Sequence, residues 1–167
     1  MTGHRFPADS EADIWDETKL LFTERLQPTA GVIPFLGSLA SARCVASSSS
    51  LERIGHSLSV TGLADVFGEA IFSSSMVARG KPAPDIFLHA AAKMGFEPNA
   101  CVVIEDSPFG IQGAVAAGMT AIGFTGGSHS FAGHAERLFA SGAHAVCATW
   151  NEIARELGER GFLRAAA

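Results

Sequence analysis

The sequence predicts an α/β fold with a Rossmann-like, doubly wound parallel sheet. Short apolar runs of strand length alternate with stretches of helix length, as expected where each crossover between parallel strands carries a helix. The clearest run, residues 101–105, is almost entirely apolar and is followed by turn residues and a helix start, typical of a strand buried on both faces. The chain has 167 residues, 47% hydrophobic and 17% charged, which is enough for the core of one domain.

The elements are predicted in chain order from periodicity and from helix-start and helix-stop residues. The first helix spans residues 10–26, with Ser10 and Asp13 resembling a capping box, and a second helix spans residues 32–41 after a break containing Pro and Gly. Strands are predicted at residues 43–46, 69–73, 101–105, 120–124 and 145–147. Helices follow them up to about residues 60, 94, 117, 141 and 160, the first capped by Ser49 with Glu52, and glycines 62, 95 and 118 end three of them.

Composition and charge exclude several classes of protein. The net charge is −5 without a basic block, which argues against nucleic acid or an anionic membrane as the main partner. No apolar stretch approaches the roughly 18 residues needed to span a bilayer, and residues 1–10 lack the apolar centre of a signal peptide. Three cysteines lie in or beside apolar runs, and an odd number of buried thiols indicates a cytoplasmic protein. The oligomeric state is not indicated.

Polar residues lie at or shortly after the carboxyl ends of three predicted strands. These residues are Ser47, Ser48, Lys81, Glu105 and Asp106. Because the carboxyl ends of parallel strands share one edge of a sheet, we expect these groups to converge there. Hydroxyl and backbone N–H groups at a helix N-terminus bind phosphate oxygens, a lysine neutralises phosphoryl charge, and carboxylates hold Mg²⁺. The pattern predicts a magnesium-dependent phosphate site.

Each of these residues also has a purely structural interpretation. Ser47 is the type of residue found in turns and caps, Lys81 in a Pro-rich loop is compatible with a solvated cation, and the two acids suit the start of a helix. Ser107 fits either an N-cap or a residue that supports the site. The histidines at 129 and 134 lie in a Gly- and Ser-rich stretch, for which a solvated loop is favoured over metal binding.

Three short motifs together resemble the haloacid dehalogenase (HAD) superfamily, most closely its helical-cap phosphatases and β-phosphoglucomutase-like enzymes. The motifs are the Val-Ala-Ser-Ser-Ser run at 45–49, the Lys-Pro-Ala-Pro-Asp-Ile-Phe run at 81–87, and the Glu-Asp-Ser-Pro-Phe-Gly-Ile run at 105–111 with the Ala-Ala-Gly-Met run at 116–119. Each motif alone is weakly specific, but their order and positions agree with the family. The resemblance covers residue 28 to the C-terminus.

The resemblance implies a role for each matched residue. Ser47 and Ser48 would bind phosphate, Lys81 would bind phosphate and act in catalysis, and Asp106 with Glu105 would hold Mg²⁺, with Asp106 as the direct ligand and Ser107 in a supporting position. The implied substrate is a small phosphorylated metabolite.

The sequence departs from the family in one respect. The family's first motif, an apolar strand ending in Asp-x-Asp-Gly-Thr, supplies the nucleophile and the general acid/base, and no such stretch is found in the 167 residues. The first helix resembles the last helix of the family's cap, so we expect residues 1–27 to be a cap remnant with a linker and 28–167 to be a HAD-like core without its first central strand.

Two functions remain open on this basis. The first is a phosphatase or phosphomutase lineage whose present chain has little or no activity, since covalent catalysis requires the absent aspartate. The second is a non-catalytic Mg²⁺- and phosphate-binding or regulatory module completed by another polypeptide. A receiver domain also combines acids, a hydroxyl and a lysine, but their order in this chain does not fit it.

Overall fold

The computed structural model describes residues 8–159, in which helices and strands alternate as predicted. The helices are α1 (Ala8–Arg25), α2 (Val32–Ser38), α3 (Leu51–Val60), α4 (Ala64–Phe67), α5 (Asp85–Met94), α6 (Pro108–Ala116), α7 (His134–Ala140) and α8 (Trp150–Glu159). The strands are β1 (Val45–Ser47), β2 (Ile71–Ser73), β3 (Val102–Glu105), β4 (Thr120–Phe124) and β5 (Ala145–Cys147). Short 3₁₀ helices at Ser74–Met76 and Pro98–Ala100 follow β2 and precede β3.

The strands form two parallel sheets, one of β1 and β2 and the other of β3, β4 and β5 in that order. Ala46 lies opposite Phe72 in the first sheet, and Ile104 lies opposite Ile122 in the second. The predicted parallel α/β architecture is confirmed. In the part of the chain that the structure describes, the sheet is divided between β1 and β3, where the prediction has a strand missing.

Two apolar clusters cover the two faces of the larger sheet because successive side chains of a strand point in opposite directions. In β4, Ala121 belongs to the cluster with helices α5, α6 and α7, whereas the adjacent Ile122 belongs to the cluster with α2 and α8. Both side chains are fully buried. Helices therefore pack on both faces, which explains why β4 is apolar without polar alternation.

The predicted helix stops agree with the structure better than the predicted starts. Gly62, Gly95 and Gly118 follow α3, α5 and α6 with positive φ, as the sequence indicates. The start of α3 is corrected: its N-cap is Ser50, whose hydroxyl accepts from Arg53 N–H, and not Ser49. Helix α1 begins at Ala8, so Ser10 lies inside the helix and is not its N-cap.

Other boundaries differ by a few residues, and one α-helix and two short 3₁₀ helices were not anticipated. Helix α2 ends at Ser38 instead of residue 41, and α7 begins at His134 instead of residue 132. The short helix α4 was not predicted, because four residues are too few to show helical periodicity.

Helix α1 packs against α3 through a mixed polar and aromatic contact. The indole N–H of Trp15 donates to the Glu52 carboxylate at 2.9 Å, and the Arg53 guanidinium lies 5.1 Å from the centre of the Phe22 ring. The neighbouring Ile14 is 60% exposed, so part of the apolar face of α1 is solvated. The division of the chain at residue 27 into a cap remnant and a core stays a prediction. Within residues 8–159, no helix has the length and apolar character needed to cross a membrane.

Truncation of a buried side chain of α6 tests the packing of the apolar cluster that contains α5, α6 and α7. Ile111 is fully buried, so we expect Ile111→Ala to lower the free energy of unfolding by about 2–5 kcal/mol through lost burial and a residual cavity. Urea denaturation followed by circular dichroism measures this loss. Val115→Ala, at a 42% exposed position of the same helix, is the matched control and should change stability by less than about 0.5 kcal/mol. Equal effects of the two substitutions would contradict the assigned packing.

Candidate active site

Lys81 lies between the carboxyl ends of the two sheets. Its side chain is 9% exposed, and its ammonium group donates to the Ala46 carbonyl of β1 at 3.1 Å and to the Glu105 carboxylate of β3. The ammonium also lies 4.9 Å from the centre of the Phe87 ring on α5, within cation–π range. A solvated position for Lys81 is therefore excluded, and the loop after β2 delivers a buried cation to the rim of both sheets.

Glu105 uses both of its carboxylate oxygens. One accepts from Lys81, and the other accepts from the backbone N–H groups of Asp106 and Ser107, each at 3.1 Å, and from the Ser107 hydroxyl at 3.2 Å. A buried carboxylate requires such donors because burial without them is costly. Glu105 is thus held in one place by the turn that follows its own strand.

Ser107 connects this turn to helix α6. Its hydroxyl oxygen accepts from the Gly110 N–H at 2.9 Å, which makes Ser107 the N-cap of the helix, and the same hydroxyl donates to Glu105. The N-cap interpretation of Ser107 is therefore confirmed, whereas its supporting position in a binding site stays a prediction. Gly110 is required by the same geometry, since a Cβ atom built at this position would collide with the Glu105 carboxyl group.

Asp106 points its side chain towards solvent beside two histidines. Its carboxylate is 49% exposed and lies 3.1 Å from His129 Nε2, and its backbone carbonyl accepts from His134 Nε2 at 2.8 Å. Because a carbonyl cannot donate, His134 carries a proton on Nε2, and its Nδ1 lies 3.0 Å from the Ser130 hydroxyl. His134 is 4% exposed and stacks on Phe131 at 4.9 Å.

The solvated-loop interpretation agrees with the structure for His129, which is 60% exposed in the loop after β4, and is corrected for His134, which is buried. His134 is the first residue of α7 and supports the Asp106 backbone, and His129 pairs with the Asp106 side chain. The sequence holds no short motif that links positions 129 and 134 to position 106. The packing of α7 against β4, β5 and α6 brings them together.

The serines from Ser47, the last residue of β1, to Ser50 lead directly into α3. The Ser47 hydroxyl accepts from Ser49 N–H at 3.2 Å, whereas the Ser48 side chain is exposed. The hydroxyls of Ser73, the last residue of β2, and of Ser74 donate to the carbonyls of Ser49 and Ser48 at 2.7 and 2.9 Å. These bonds hold the loops after β1 and β2 together.

The sequence-predicted residues lie on one rim, but they do not all touch. Lys81 and Glu105 are in contact, and Ser47 and Asp106 follow Ala46 and Glu105 directly in the chain. The Ser47 hydroxyl and the Asp106 carboxylate bind other partners, Ser49 and His129. Residues 8–159 contain no group of three His, Cys, Asp or Glu side chains that could hold a metal ion.

An ion pair between Arg79 and Asp85 stabilises the loop that carries Lys81. The Arg79 guanidinium donates twice to the Asp85 carboxylate at the start of α5, at 2.7 and 3.1 Å. This hydrogen-bonded pair lowers the pKa of Asp85 below its usual value. Asp85 thus stabilises the loop and the start of α5.

A substitution at Gly110 tests the close approach to Glu105. Alanine normally stabilises a helix relative to glycine, but at Gly110 the added methyl must displace the Glu105 carboxyl, so we expect Gly110→Ala to destabilise the fold by about 1–3 kcal/mol. The control is Gly55→Ala in α3, where the space is open and a gain of about 0.5–1 kcal/mol is expected. Urea titration of both variants measures the sign of each change in the free energy of unfolding. An increase in stability at both positions would contradict the close approach of Glu105 to Gly110.

The Arg79–Asp85 pair predicts a pH dependence. Because the folded-state pKa of Asp85 lies below its unfolded value, the contribution of the pair is present above about pH 4 and is lost as pH falls through the folded pKa. We expect the melting temperature of Asp85→Asn to lie below that of the unmodified protein at pH 7 and the difference to shrink as pH falls below about 4. Thermal melts across this range measure the difference, with Asp16→Asn on exposed α1 as control. A constant difference would contradict the pairing.

Comparison with known proteins agrees with the resemblance inferred from the motifs. A curated relative, 6-phosphogluconate phosphatase of Escherichia coli, is 28% identical over 114 residues, which cover 68% of this chain and 52% of that protein. The chain thus spans about half the length of this curated relative.

Solved structures extend the likeness over nearly the whole chain. A haloacid dehalogenase-like protein of Agrobacterium tumefaciens is 35% identical with a TM-score of 0.85, covering 96% of this chain and 73% of that one. A HAD family hydrolase of Deinococcus radiodurans with bound phosphate and sodium is 31% identical with a TM-score of 0.83, covering 99% of this chain and 80% of that one. The sequence model of the family described as haloacid dehalogenase-like hydrolase matches residues 4–118. The chain therefore belongs to the haloacid dehalogenase-like hydrolase family.

Proposed function

We propose that this chain carries the phosphate- and magnesium-binding part of a HAD-type phosphatase site that acts on small phosphorylated metabolites. The observation that carries the proposal is the buried Lys81 ammonium held between Ala46 of β1 and Glu105 of β3, with the partly exposed Asp106 next to Glu105 in the chain. Phosphorylated sugars and sugar acids are the favoured substrate class, because one relative is a 6-phosphogluconate phosphatase. Bound phosphate in the Deinococcus radiodurans hydrolase supports the ligand chemistry.

Each residue of the rim has a task in this proposal. The exposed Ser48, the Ser47 hydroxyl and nearby N–H groups at the start of α3 bind phosphate oxygens, and Lys81 neutralises charge on the phosphoryl group. Asp106 is the better magnesium ligand, since half of its carboxylate is open to solvent. Mg²⁺ often binds only one or two carboxylates and completes its shell with water and phosphate, so one aspartate fits. When bound, the ion offsets phosphate charge.

Glu105 has a different role from the one implied by the motif. Because its oxygens accept from Lys81, Ser107 and two backbone N–H groups, we assign it the positioning of Lys81 in preference to direct metal binding. Ser107 in turn positions Glu105. The site thus combines a fixed cation with a more accessible anion, the arrangement needed to hold a phosphate through both a lysine and a metal ion.

Turnover requires a group that these 167 residues do not contain. No Asp-x-Asp-Gly-Thr stretch is present to form an aspartyl-phosphate. Removing a nucleophile lowers a rate by about 10⁶ in the subtilisin series. We therefore propose that the chain by itself binds ligands but has little or no phosphatase activity. The division of the sheet between β1 and β3 favours, as a second candidate, a binding module completed by another polypeptide.

Ligand binding is tested by thermal shift with Mg²⁺ and inorganic phosphate. Ligand at 100 times its Kd should stabilise the fold by about 2.7 kcal/mol. We expect the shift to require both ions and to be lost in Asp106→Asn, because the amide cannot replace the carboxylate on Mg²⁺. Asp65→Asn, an exposed aspartate on α4, is the control and should retain the shift. No shift in the unmodified protein would contradict the proposal.

Activity is tested separately with a panel of sugar phosphates and released phosphate as the measurement. We expect purified protein to release phosphate at the rate of the enzyme-free blank, with or without Mg²⁺. A robust Mg²⁺-dependent rate that disappears in Asp106→Asn would overturn the proposed inactivity, while leaving the assignment of the site intact.

A further inference from the structure

His129 is held against Asp106 although both side chains are largely open to solvent. Its Nε2 atom lies 3.1 Å from Asp106 Oδ2, and the two side chains are 60% and 49% exposed. Exposed pairs of this kind contribute little to stability, because water competes for both groups. The stability of the fold therefore does not account for the contact, and the surroundings of both residues show how precisely it is positioned.

The loop after β4 limits the positions open to the His129 ring. Ser130 N–H donates to the Gly127 carbonyl at 3.1 Å, which closes a turn that contains His129. The ring lies so close to this turn that a Cβ atom at Gly127 would come within 2.7 Å of it. At the base of the loop, Thr125 N–H donates to the Cys147 carbonyl of β5 at 2.9 Å. The loop is thus anchored to the sheet and packs against the imidazole.

The backbone of Asp106 is positioned by the second histidine. Buried His134 donates from Nε2 to the Asp106 carbonyl at 2.8 Å, and its ring centre lies 6.0 Å from that of His129. The Nδ1 atom of His134 lies 3.0 Å from the Ser130 hydroxyl. Both nitrogens of His134 are therefore engaged in positioning, which leaves the Asp106 carboxylate and the His129 imidazole as the two accessible donors of this cluster.

The separation of these two donors equals that of neighbouring ligands on one metal ion. Two ligands at right angles on a six-coordinate ion, each at roughly 2.1 Å, lie about 3.0 Å apart. The 3.1 Å between Nε2 and Oδ2 requires almost no change to match this geometry. A carboxylate and water suit Mg²⁺, whereas an imidazole suits ions such as Ni²⁺, which also bind nitrogen and oxygen donors more strongly.

We propose that His129 is a second protein ligand beside Asp106, so that the site binds a divalent transition ion such as Ni²⁺ more tightly than Mg²⁺. The proposal rests on the proposed function in taking Asp106 as a metal ligand. It adds a residue that lies outside the three motifs and that determines which ion the site prefers. Water and phosphate oxygens would complete the coordination of the ion.

The test compares the binding of Ni²⁺ and of Mg²⁺, each without phosphate, by calorimetry at one neutral pH. The variant is His129→Gln, because glutamine keeps an N–H donor for Asp106 but has no imidazole nitrogen. A role in hydrogen bonding alone would therefore leave both affinities unchanged. The matched control is His89→Gln, since the His89 ring packs against Phe72 and takes no part in this cluster.

We expect Ni²⁺ to bind the unmodified protein at least tenfold more tightly than Mg²⁺. His129→Gln should weaken Ni²⁺ binding at least tenfold and change the affinity for Mg²⁺ less than threefold, and His89→Gln should change neither. In NMR spectra of the unmodified protein, substoichiometric Ni²⁺ is paramagnetic and should broaden the amide signals of Asp106 and His129 before those of His56 and His89. This measurement needs no variant, so a misfolded His129→Gln protein leaves the test intact.

Two results would overturn the proposal. One is an unchanged affinity for Ni²⁺ in His129→Gln, and the other is broadening that is spread over all histidines or centred on a cysteine, which means an adventitious ion only.

The thermal shift with Mg²⁺ and phosphate tests the proposed function separately. If that shift occurs while Ni²⁺ binding does not depend on His129, Asp106 stays a magnesium ligand and only the role of His129 is overturned. If Ni²⁺ binding depends on His129 but no shift occurs with Mg²⁺ and phosphate, the metal-binding pair is supported and the phosphatase-type site is overturned.

Discussion

The buried ammonium of Lys81 is the interaction on which the site depends. A lysine so far from water is stable only with acceptors around it, and this one has a carbonyl from one sheet and a carboxylate from the other. Between the described strands the sheets share no ladder, so the Lys81 contact joins them directly, and helix α5 packs against both β1 and α6. The same contact that fixes the two sheets therefore also fixes the cation that would meet a phosphate.

A second constraint is the short turn between β3 and α6. Four donors converge on Glu105 within this region, three of them from the turn itself, and the Ser107 hydroxyl serves both the carboxylate and the helix start. A glycine at position 110 is needed because the carboxyl group lies against the backbone there. The sequence run from Glu105 to Gly110 is thus one structural unit, in which each residue limits its neighbours.

Much of this arrangement could be predicted from sequence because it is local. The strand at 120–124, the edge strand at 145–147 and the glycine stops after three helices all depend on nearby residues, and the structure has them at these positions. The convergence of Lys81 with Glu105 could be predicted as well, since it follows from the parallel topology. Helix starts that are locally ambiguous could not be predicted. For α3, Ser49 and Ser50 offer the same capping hydroxyl, and tertiary contacts determine which of the two is the N-cap.

The histidines beside Asp106 were beyond sequence reasoning for a different reason. His134 contacts a residue 28 positions earlier, and it is buried by the packing of α7 and by Phe131, neither of which leaves a periodic signal. The division of the sheet between β1 and β3 could be predicted only in part. Its position could be anticipated from the motif pattern, but the width and lining of the apolar cleft between the two sheets depend on how α2, α5 and α8 pack around it.

The placement of the two tryptophans makes the protein its own optical reporter. Trp15 contacts Glu52 at the junction of α1 and α3, whereas Trp150 donates to the Thr29 hydroxyl at 2.7 Å and stacks on Phe35 beside the cleft. The two indoles thus sample a polar, partly solvated junction and an aromatic interior. Their fluorescence emission should therefore differ in wavelength. Separation of α1 from α3 and opening of the apolar cluster that contains α2 and α8 could then be followed independently in one unlabelled sample.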